Sequence, residues 1–516
     1  MKKQAFEGIS RHFFLILLVC MPCISCSIQE KEQAPNVVFF FADQLRRQSV
    51  GFHGETNITT PHLDRLAEQG MVFNQALSTF PICTPYRGML MSGRMPAHTG
   101  IMMNWINPNP EDVWIAELFR DAGYSTGFIG KWHLNSGNKT TTGLYCQTAG
   151  DQQEKRRMER EYVAAHPESE FVPPGPYRQG YAFWAAYNFH VNFMHAYYYR
   201  DSPERLHYKG YEVDGEVDVA IEFMEQNRES GKPFFLMVAP HTPHNPWRPE
   251  DVPAEYLEKV KDTLDLQPNV DDSFMPEWKA RSQQDFRVYY AMVKNIDHNI
   301  GRLMTYLEES GQMDNTIFVF TSDHGEMMGS HDRIYKMVPY EESIGIPLVY
   351  CWKGHIPAGQ RTNSLFTPVD HMPTLLSLAG ITVPDFADGM DQSHILLGEP
   401  GPEREEALLM NYSSHWDWCA TGTRWKEWRG VRTMTHTYVK WLEGDEELYD
   451  NVNDPFQMIN LAVSDKEPDL LEAMRRRQEV LLEEAHDEFL PGNGYAAWFD
   501  PRSRDVVSTA LGPVKQ

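Results

Sequence analysis

The chain has 516 residues, 41% of them hydrophobic, which is room for one large or two unequal globular domains. Its 47 Lys and Arg stand against 72 Asp and Glu, a formal net charge of −25. That balance argues against nucleic acid as a partner, since phosphate backbones need basic patches, and any anionic substrate must be drawn in by a local cluster of cations or by a metal.

In chain order, "MKK" followed by "FFLILLVC" is a basic start and an apolar core too short to span a bilayer, so residues 1–26 read as an export signal. "CISC" ends at Cys26 and resembles a loose lipobox, in which Cys26 becomes the lipidated first residue and the one membrane attachment; plain cleavage nearby is the alternative. The expected location is the periplasm of a bacterium, or its outer membrane as a lipoprotein. Residues 27–35 read as a linker. The mature chain keeps Cys83, Cys146, Cys351 and Cys419, whose spacing shows neither a disulfide framework nor a zinc pattern.

"PNVVFFFADQ" is an unbroken apolar run ending in Asp43 and Gln44, the pattern of a strand buried on both faces. "TPHLDRLAEQG" predicts a helix with Thr60 as N-cap, Pro61 in the first turn and Gly70 as terminator. In "ICTPYRGML", Pro85 predicts a helix to about Met91, with Cys83 just ahead of it at the positive end of the dipole. A thiolate would be stabilised there, and two readings of Cys83 are open: a reactive thiol or a small residue that packs. "EDVWIAELFRDAGY" predicts the next helix, and "STGFIGKWHLN" a strand running into Lys131 and His133. Residues 145–180 are polar and Pro-rich and read as a long loop. "YAFWAAYNFHVNFMHAYYYR", 181 to 200, is dense in aromatic and His residues, either substrate subsites or an irregular core segment. "KPFFLMVAPHTPH" is a strand running into His241 and His244, and "NTIFVFTSDHGE" one running into Asp323 and His324, with a long helix from Gln283 to Gly311 between them. "DGMDQSHILLGEPGPERE" marks a boundary, giving a catalytic domain over 36–395 and a subdomain over 396–516. In the latter, "RGVRTMTHTYVKWLEGDEELYD" alternates like a hairpin and a helix covers about 466–486.

Strand and helix in alternation predict an α/β fold with a mostly parallel central sheet flanked by helices, plus a smaller C-terminal α+β subdomain on an antiparallel sheet. Ligands of such sheets bind outside the carboxyl ends of the strands. Four strands deliver Asp, His or Lys at that end, more than turn chemistry explains. Asp43, Gln44, Asp323 and His324 suit a divalent cation, Ca²⁺ or Mg²⁺ by their oxygens, with a softer metal left open by the imidazole. Arg87, Lys131, His133 and His241 would supply donors around a small tetrahedral anion.

On these residues the chain resembles the type I sulfatases of the alkaline phosphatase superfamily. Cys83-Thr84-Pro85-Tyr86-Arg87 matches their C-x-P-x-R signature, and "GMLMSGR", "GKWHL", "APHTPH", "TSDHGE", "KMVPYEESIGIPLVY" and "EELYDNVNDPFQMINLA" follow in family order. The resemblance implies an alkaline-phosphatase-like fold. It implies that a separate maturation enzyme oxidises Cys83 to Cα-formylglycine, whose hydrate attacks sulfur and then eliminates sulfate. Arg87 would hold that group and the metal site. Asp43, Gln44, Asp323, His324 and the modified Cys83 would surround Ca²⁺ or another divalent ion, with Gln44 standing where many members have Asp. Lys131 would bind sulfate, His133 would assist elimination, and His241 and Lys336 would serve the leaving oxygen. Gly345 stands where relatives often have Arg. Asn104, Trp105, His190, His195 and His244 are the candidate substrate contacts. The implied substrate is a sulfated carbohydrate of glycosaminoglycan, mucin or algal type. The alternatives are a phosphonate monoester or phosphodiester hydrolase of the same superfamily, or a non-catalytic glycan-binding lipoprotein.

Overall fold

The unbroken apolar run at residues 37–42 is apolar on both faces because helices cover both faces of the strand it forms. A computed structural model describes residues 33–137, 170–270, 278–412, 426–463, 466–500 and 503–514. Residues 1–26, read from the sequence as an export signal ending at Cys26, most of the 145–180 loop, Cys146 and Cys419 lie outside the described residues. In β1 (Asn36–Ala42), Val38, Phe40 and Ala42 enter one hydrophobic core, while Val37, Phe39 and Phe41 enter a second on the opposite face. The first core is closed by the helices Pro61–Gln69, Glu212–Ser230 and Trp278–Glu309. The second is closed by Cys83–Ser92, Ile115–Asp121 and His371–Leu378.

The central sheet also contains β2 (Met71–Ala76), β3 (Ser125–Lys131), β4 (Phe183–Tyr187), β7 (Phe234–Ala239), β8 (Thr316–Ser322), β9 (Leu348–Cys351) and β10 (Gln360–Phe366). Two short strands, β5 (Tyr197–Tyr198) and β6 (Leu206–His207), pair with each other beside it. Its order is β10-β2-β9-β8-β1-β7-β3-β4, and only β9 runs antiparallel to its neighbours. The four strands with polar ends, β8, β1, β7 and β3, are therefore adjacent and parallel. In register, Phe39 lies between Val319 and Met237.

The C-terminal part forms a second, antiparallel sheet in the order β11 (Glu406–Asn411), β12 (Trp428–Thr433), β13 (His436–Trp441), β14 (Glu446–Asp450). The helix Pro468–Glu484 buries Met474 against Val431, Tyr438 and Leu448 of this sheet. A last hairpin, β15 (Ser508–Thr509) with β16 (Gly512–Pro513), ends the described chain. Residues 34–516 form one compact unit, and no helix of the described residues is long and apolar enough to cross a membrane.

One local expectation is corrected and one refined. The signature helix begins at Cys83, two residues before the predicted start, because Ile82 is the extended N-cap and its carbonyl accepts the first helical bond, from Tyr86 N–H at 3.1 Å. Pro85 fits in that first turn because N–H groups there have no partner four residues back. Thr60 is the N-cap as expected, its carbonyl accepting Asp64 N–H at 2.9 Å, but its hydroxyl makes no capping bond. The first amides, of His62 and Leu63, instead donate to Asp297 Oδ1 of the long helix at 2.9 and 2.8 Å.

Candidate active site

Adjacent parallel strands bring their carboxyl ends to one place. β1 delivers Asp43 and Gln44, β8 delivers Asp323 and His324, β3 delivers Lys131 and His133, and β7 delivers His241 and His244. The ladder continues past the strands, with Asp323 N–H donating to Ala42 O at 3.1 Å and Asp43 N–H to Thr242 O at 3.2 Å. The Cys83–Ser92 helix then lays Cys83 against this row. Its Sγ is 3.3 Å from His324 Nε2, 3.6 Å from Lys131 Nζ and 3.8 Å from Asp43 Oδ1. Gln44, His133 and Trp105 around the pocket all have left-handed backbone (φ 70°, 53° and 64°), a conformation that concentrates at functional sites.

The floor is a closed charge network. Arg87 is fully buried and donates through Nη2 to Asp43 Oδ2 (3.1 Å) and Asp323 Oδ2 (3.2 Å), and through Nη1 to Lys131 O (2.5 Å). Lys131 Nζ donates to Asp43 Oδ2 at 2.5 Å. Burial works to raise the Asp43 carboxyl, but the cations Lys131 and Arg87 beside it hold it well below the usual carboxylate range. Asp323 is pushed up to about 7 by burial and by the Asp43 charge. The thiol of Cys83 is likewise raised to about 11, by burial and then by Asp43. This corrects the expectation of a stabilised thiolate: desolvation and a neighbouring carboxylate outweigh the helix dipole and Lys131. Burial, and then the cations Lys131 and Lys336, keep His133, His241, His244 and His324 neutral.

The donor chemistry fits a divalent cation. One ligand atom each from Asp43, Cys83, Asp323 and His324 lie within 4.8 Å of one another. His324 Nδ1 is 3.0 Å from Gly325 O, which fixes Nδ1 as the donor and leaves the Nε2 lone pair facing the cluster. Gln44 N–H donates to Asp323 Oδ1 (2.9 Å), its side-chain oxygen accepts from Lys336 Nζ, and its amide nitrogen donates to Glu326 Oε2 at 2.6 Å. Glu326 is fully buried, so the negative charge that Gln44 lacks stands directly behind it. Arg87, Lys131 and Lys336 against Asp43, Asp323 and Glu326 leave the floor near neutral. A divalent cation would make it positive, as an anionic substrate requires against a chain charge of −25.

The candidate substrate contacts separate into three groups. Trp105 packs edge-on to His133 (4.6 Å between ring centroids), and His244 stacks near His241 at 4.4 Å. Asn104 gives its side-chain oxygen to Thr84 N–H at 3.0 Å, satisfying a free amide of the signature helix. His190 lies buried behind His241, between the Tyr187 and Tyr197 rings, with Nε2 3.3 Å from Tyr197 O. His195 is exposed on a 3-10 turn. Gly345 faces Arg47: a β-carbon there would lie 2.6 Å from Glu341 O and 3.2 Å from Arg47 Cζ. Both ring nitrogens of His133 and of His241 are buried without a hydrogen-bond partner among the described residues.

Three features were not anticipated. Phe189 stands half-buried at the centre of the wall, 4.8 Å from His241, 5.1 Å from His133 and 4.9 Å from Lys131 Nζ. Most of the aromatic segment that holds it fits the core reading: Trp184, Tyr187, Phe193, Tyr197 and Tyr199 are buried. Glu326 was visible only as the last letter of "TSDHGE". Behind the floor, Glu212 and Glu216 are fully buried one helical turn apart; Glu212 Oε1 accepts His241 N–H (2.9 Å) and Glu216 Oε1 accepts from Tyr187 O–H (3.2 Å). Their i, i+4 spacing was the available signal, but it also describes a solvated helix face.

Comparison with known proteins follows the same residues. The sulfatase family model matches residues 35–381, and the model of the C-terminal part of N-sulphoglucosamine sulphohydrolase matches 329–484. An ulvan-active sulfatase of Formosa agariphila is 32% identical over 496 residues, covering 95% of this chain and 89% of that protein. An endo-4-O-sulfatase of Bacteroides thetaiotaomicron is 25% identical, covering 89% and 94%. The crystal structure of the sulfatase yidJ from Bacteroides fragilis superposes with a TM-score of 0.76 at 29% identity, covering 90% of this chain and 98% of that one.

Proposed function

We propose, on the premise that this chain belongs to the sulfatase family of the alkaline phosphatase superfamily, that Cys83 is its converted residue and that the pocket around it, in an exported bacterial protein, removes sulfate from a sulfated glycan of glycosaminoglycan, mucin or algal type. The protein is a sulfuric ester hydrolase acting on carbohydrate sulfates, and its family uses a metal and a formylglycine. The observation that carries the assignment of residues is the meeting of Cys83, Lys131, Asp43, Asp323 and His324 within one buried cluster beside His133 and His241, whose ring nitrogens have no hydrogen-bond partner among the described residues.

Asp43, Gln44, Asp323 and His324 would hold the cation, with Ca²⁺ favoured by the oxygen donors and Mg²⁺ the alternative. When present, the formylglycine hydrate supplies the attacking hydroxyl and the cation polarises it together with the sulfate. Lys131 Nζ, already within 3.6 Å of the residue 83 side chain, binds a sulfate oxygen beside the nucleophile. Arg87 fixes both carboxylates and offsets their mutual repulsion. His241 and Lys336 serve the leaving oxygen, neutral His241 by donating an N–H hydrogen bond and cationic Lys336 by charge or its proton, while neutral His133 takes up a proton as sulfate departs. A maturation enzyme that reads the Cys83–Arg87 segment is the implied partner. The basic-apolar start and Cys26 support export, to the periplasm or as an outer-membrane lipoprotein.

Peptide mass spectrometry of protein from its native host should find residue 83 about 18 Da lighter than cysteine, distinct from the mass gain of sulfenic oxidation. Fully active protein with an unmodified Cys83 overturns the assignment. Comparing kcat/KM for aryl sulfate and aryl phosphonate esters tests the sulfatase reading against a phosphonate hydrolase: preference for the phosphonate would reverse it.

A further inference from the structure

The last stretch of chain does not end on the antiparallel sheet but returns to the mouth of the pocket. Ala510 N–H donates to Ala97 O at 2.9 Å. Gly100 (φ 74°) lets Val506 pass so close that a β-carbon on it would lie 2.5 Å from Val506 Cγ1. Asn107 N–H donates to Arg504 O (3.1 Å) and Val506 N–H to Asn107 O (3.3 Å), a parallel bridge between the tail and the rim loop. The Asn107 side chain joins three segments. Its Nδ2 donates to Asp505 Oδ1 (2.8 Å) and Ser503 O (3.1 Å) of the tail and to Ser136 Oγ (3.1 Å), while its Oδ1 accepts from Ser136 N–H (2.7 Å) just after His133.

Arg504, only 9% exposed, donates through Nη1 to the backbone carbonyl of Trp105 at 3.1 Å. Trp105 is the residue held in left-handed backbone at the rim (φ 64°), where a bulky side chain is a genuine outlier that its surroundings must over-determine. Its ring meets Phe189 at 5.3 Å and His133 at 4.6 Å, and the three make an aromatic corner over Lys131. A tail that served only to pack the C-terminal part would not need to reach this carbonyl.

From this juxtaposition we infer that the C-terminal tail is a specificity device, in which Arg504 and Asn107 hold Trp105 so that Trp105 and Phe189 receive the apolar face of the sugar ring bearing the sulfate. The inference rests on the sulfatase reading above. Aromatic rings offer large rigid surfaces at little cost in side-chain entropy, which suits them to a ring-shaped substrate. Arg504 and Asn107 are positioning residues. They touch neither sulfur nor the nucleophile, so their loss should change how the sugar is bound and leave the sulfate chemistry in place.

The test compares steady-state kinetics of the mature enzyme, Arg504→Ala and Trp105→Leu on a panel of regiospecifically sulfated monosaccharides and on a small aryl sulfate, with melting temperatures recorded in parallel. Arg504→Ala should raise KM for the preferred saccharide about tenfold, as expected for loss of a favourable ring contact, while kcat for the aryl sulfate stays within about twofold. Trp105→Leu, which leaves the tail in place, should raise the saccharide KM at least as much. Unchanged saccharide KM in Trp105→Leu overturns the inference, and so does a parallel fall of kcat on both substrates in a folded Arg504→Ala. If Arg504→Ala fails to fold, the Trp105→Leu result decides alone. An enzyme with mature residue 83 that turns over neither sulfate class fails the sulfatase reading itself, a result distinct from either of those.

Discussion

The floor and the wall of the pocket are built by different rules. On the floor, Asp43, Arg87, Lys131 and Asp323 are all fully buried, each pinned by charge-assisted bonds to the others, and each hangs from a strand end or a helix buried in the central core. On the wall, Trp105 and Phe189 are half-buried, sit on loops, and are held by ring contacts and, for Trp105, by the Arg504 side chain from the far end of the chain, which donates to its carbonyl. The difference separates tasks. A rigid, desolvated charge cluster suits the reaction at sulfur, which is the same for every sulfate ester. Loops on a rigid scaffold can change the sugar recognised without disturbing that chemistry.

If this division holds, floor substitutions should act alike on every substrate. The largest effect is expected for Cys83→Ala, which should cut turnover of both saccharide and aryl sulfates by at least about 10³-fold with folding intact, as measured by kcat and circular dichroism. Next come His241→Ala and Lys336→Ala, which sharpen the comparison because in the proposed mechanism they serve the leaving oxygen and not the sulfate. A sugar alkoxide leaves poorly and a phenolate leaves well, so each should lower kcat/KM by roughly 10²- to 10⁴-fold for the saccharide and far less for an activated aryl sulfate. Equal losses on both would place His241 with the sulfate contacts. Lys131→Ala should depress both substrates equally.

A smaller effect is expected for Asp323→Asn, which removes a charge from the candidate cation site. Metal content by elemental analysis and activity should fall together, by roughly 10- to 100-fold in affinity. EDTA should reproduce the loss and Ca²⁺ reverse it. Full activity of metal-free protein would remove Asp43, Gln44, Asp323 and His324 from the ligand set.

The smallest effect concerns the buried carboxyls behind His241. Burial raises Glu212 from its ordinary 4.5 to about 8. The folded state therefore binds this proton more tightly than the unfolded chain does. The resulting stability is fully present below about pH 4.5 and is lost as pH rises through about 8. Thermal melts of cation-loaded protein should show Tm falling across that window. Glu212→Gln stays neutral and can still accept the His241 amide, so it should flatten the fall by a few degrees, on the order of 1 kcal/mol. An unchanged slope would mean that Glu212 is ionised in the folded protein.

Much of the floor was legible in the sequence. The runs before Asp43, Lys131, His241 and Asp323 are largely apolar because each strand is covered on both faces, and a change to charged and imidazole residues marks where each leaves the core. Residue type and spacing around Cys83 carried the chemistry, and the antiparallel sheet showed in its alternation. Tertiary structure alone decided that those four strands lie side by side, since strand order depends on crossovers that no local pattern encodes. It also decided that the Cys83 thiol is raised and not lowered, because burial and the Asp43 charge outweigh a helix dipole readable from Pro85. The contact of Arg504 with Trp105 spans 399 residues, and that of Gln44 with Glu326 spans 282. Such pairings have no period and no motif. They exist because folding brings distant loops to one rim, where each buried polar group must find a partner or remain costly.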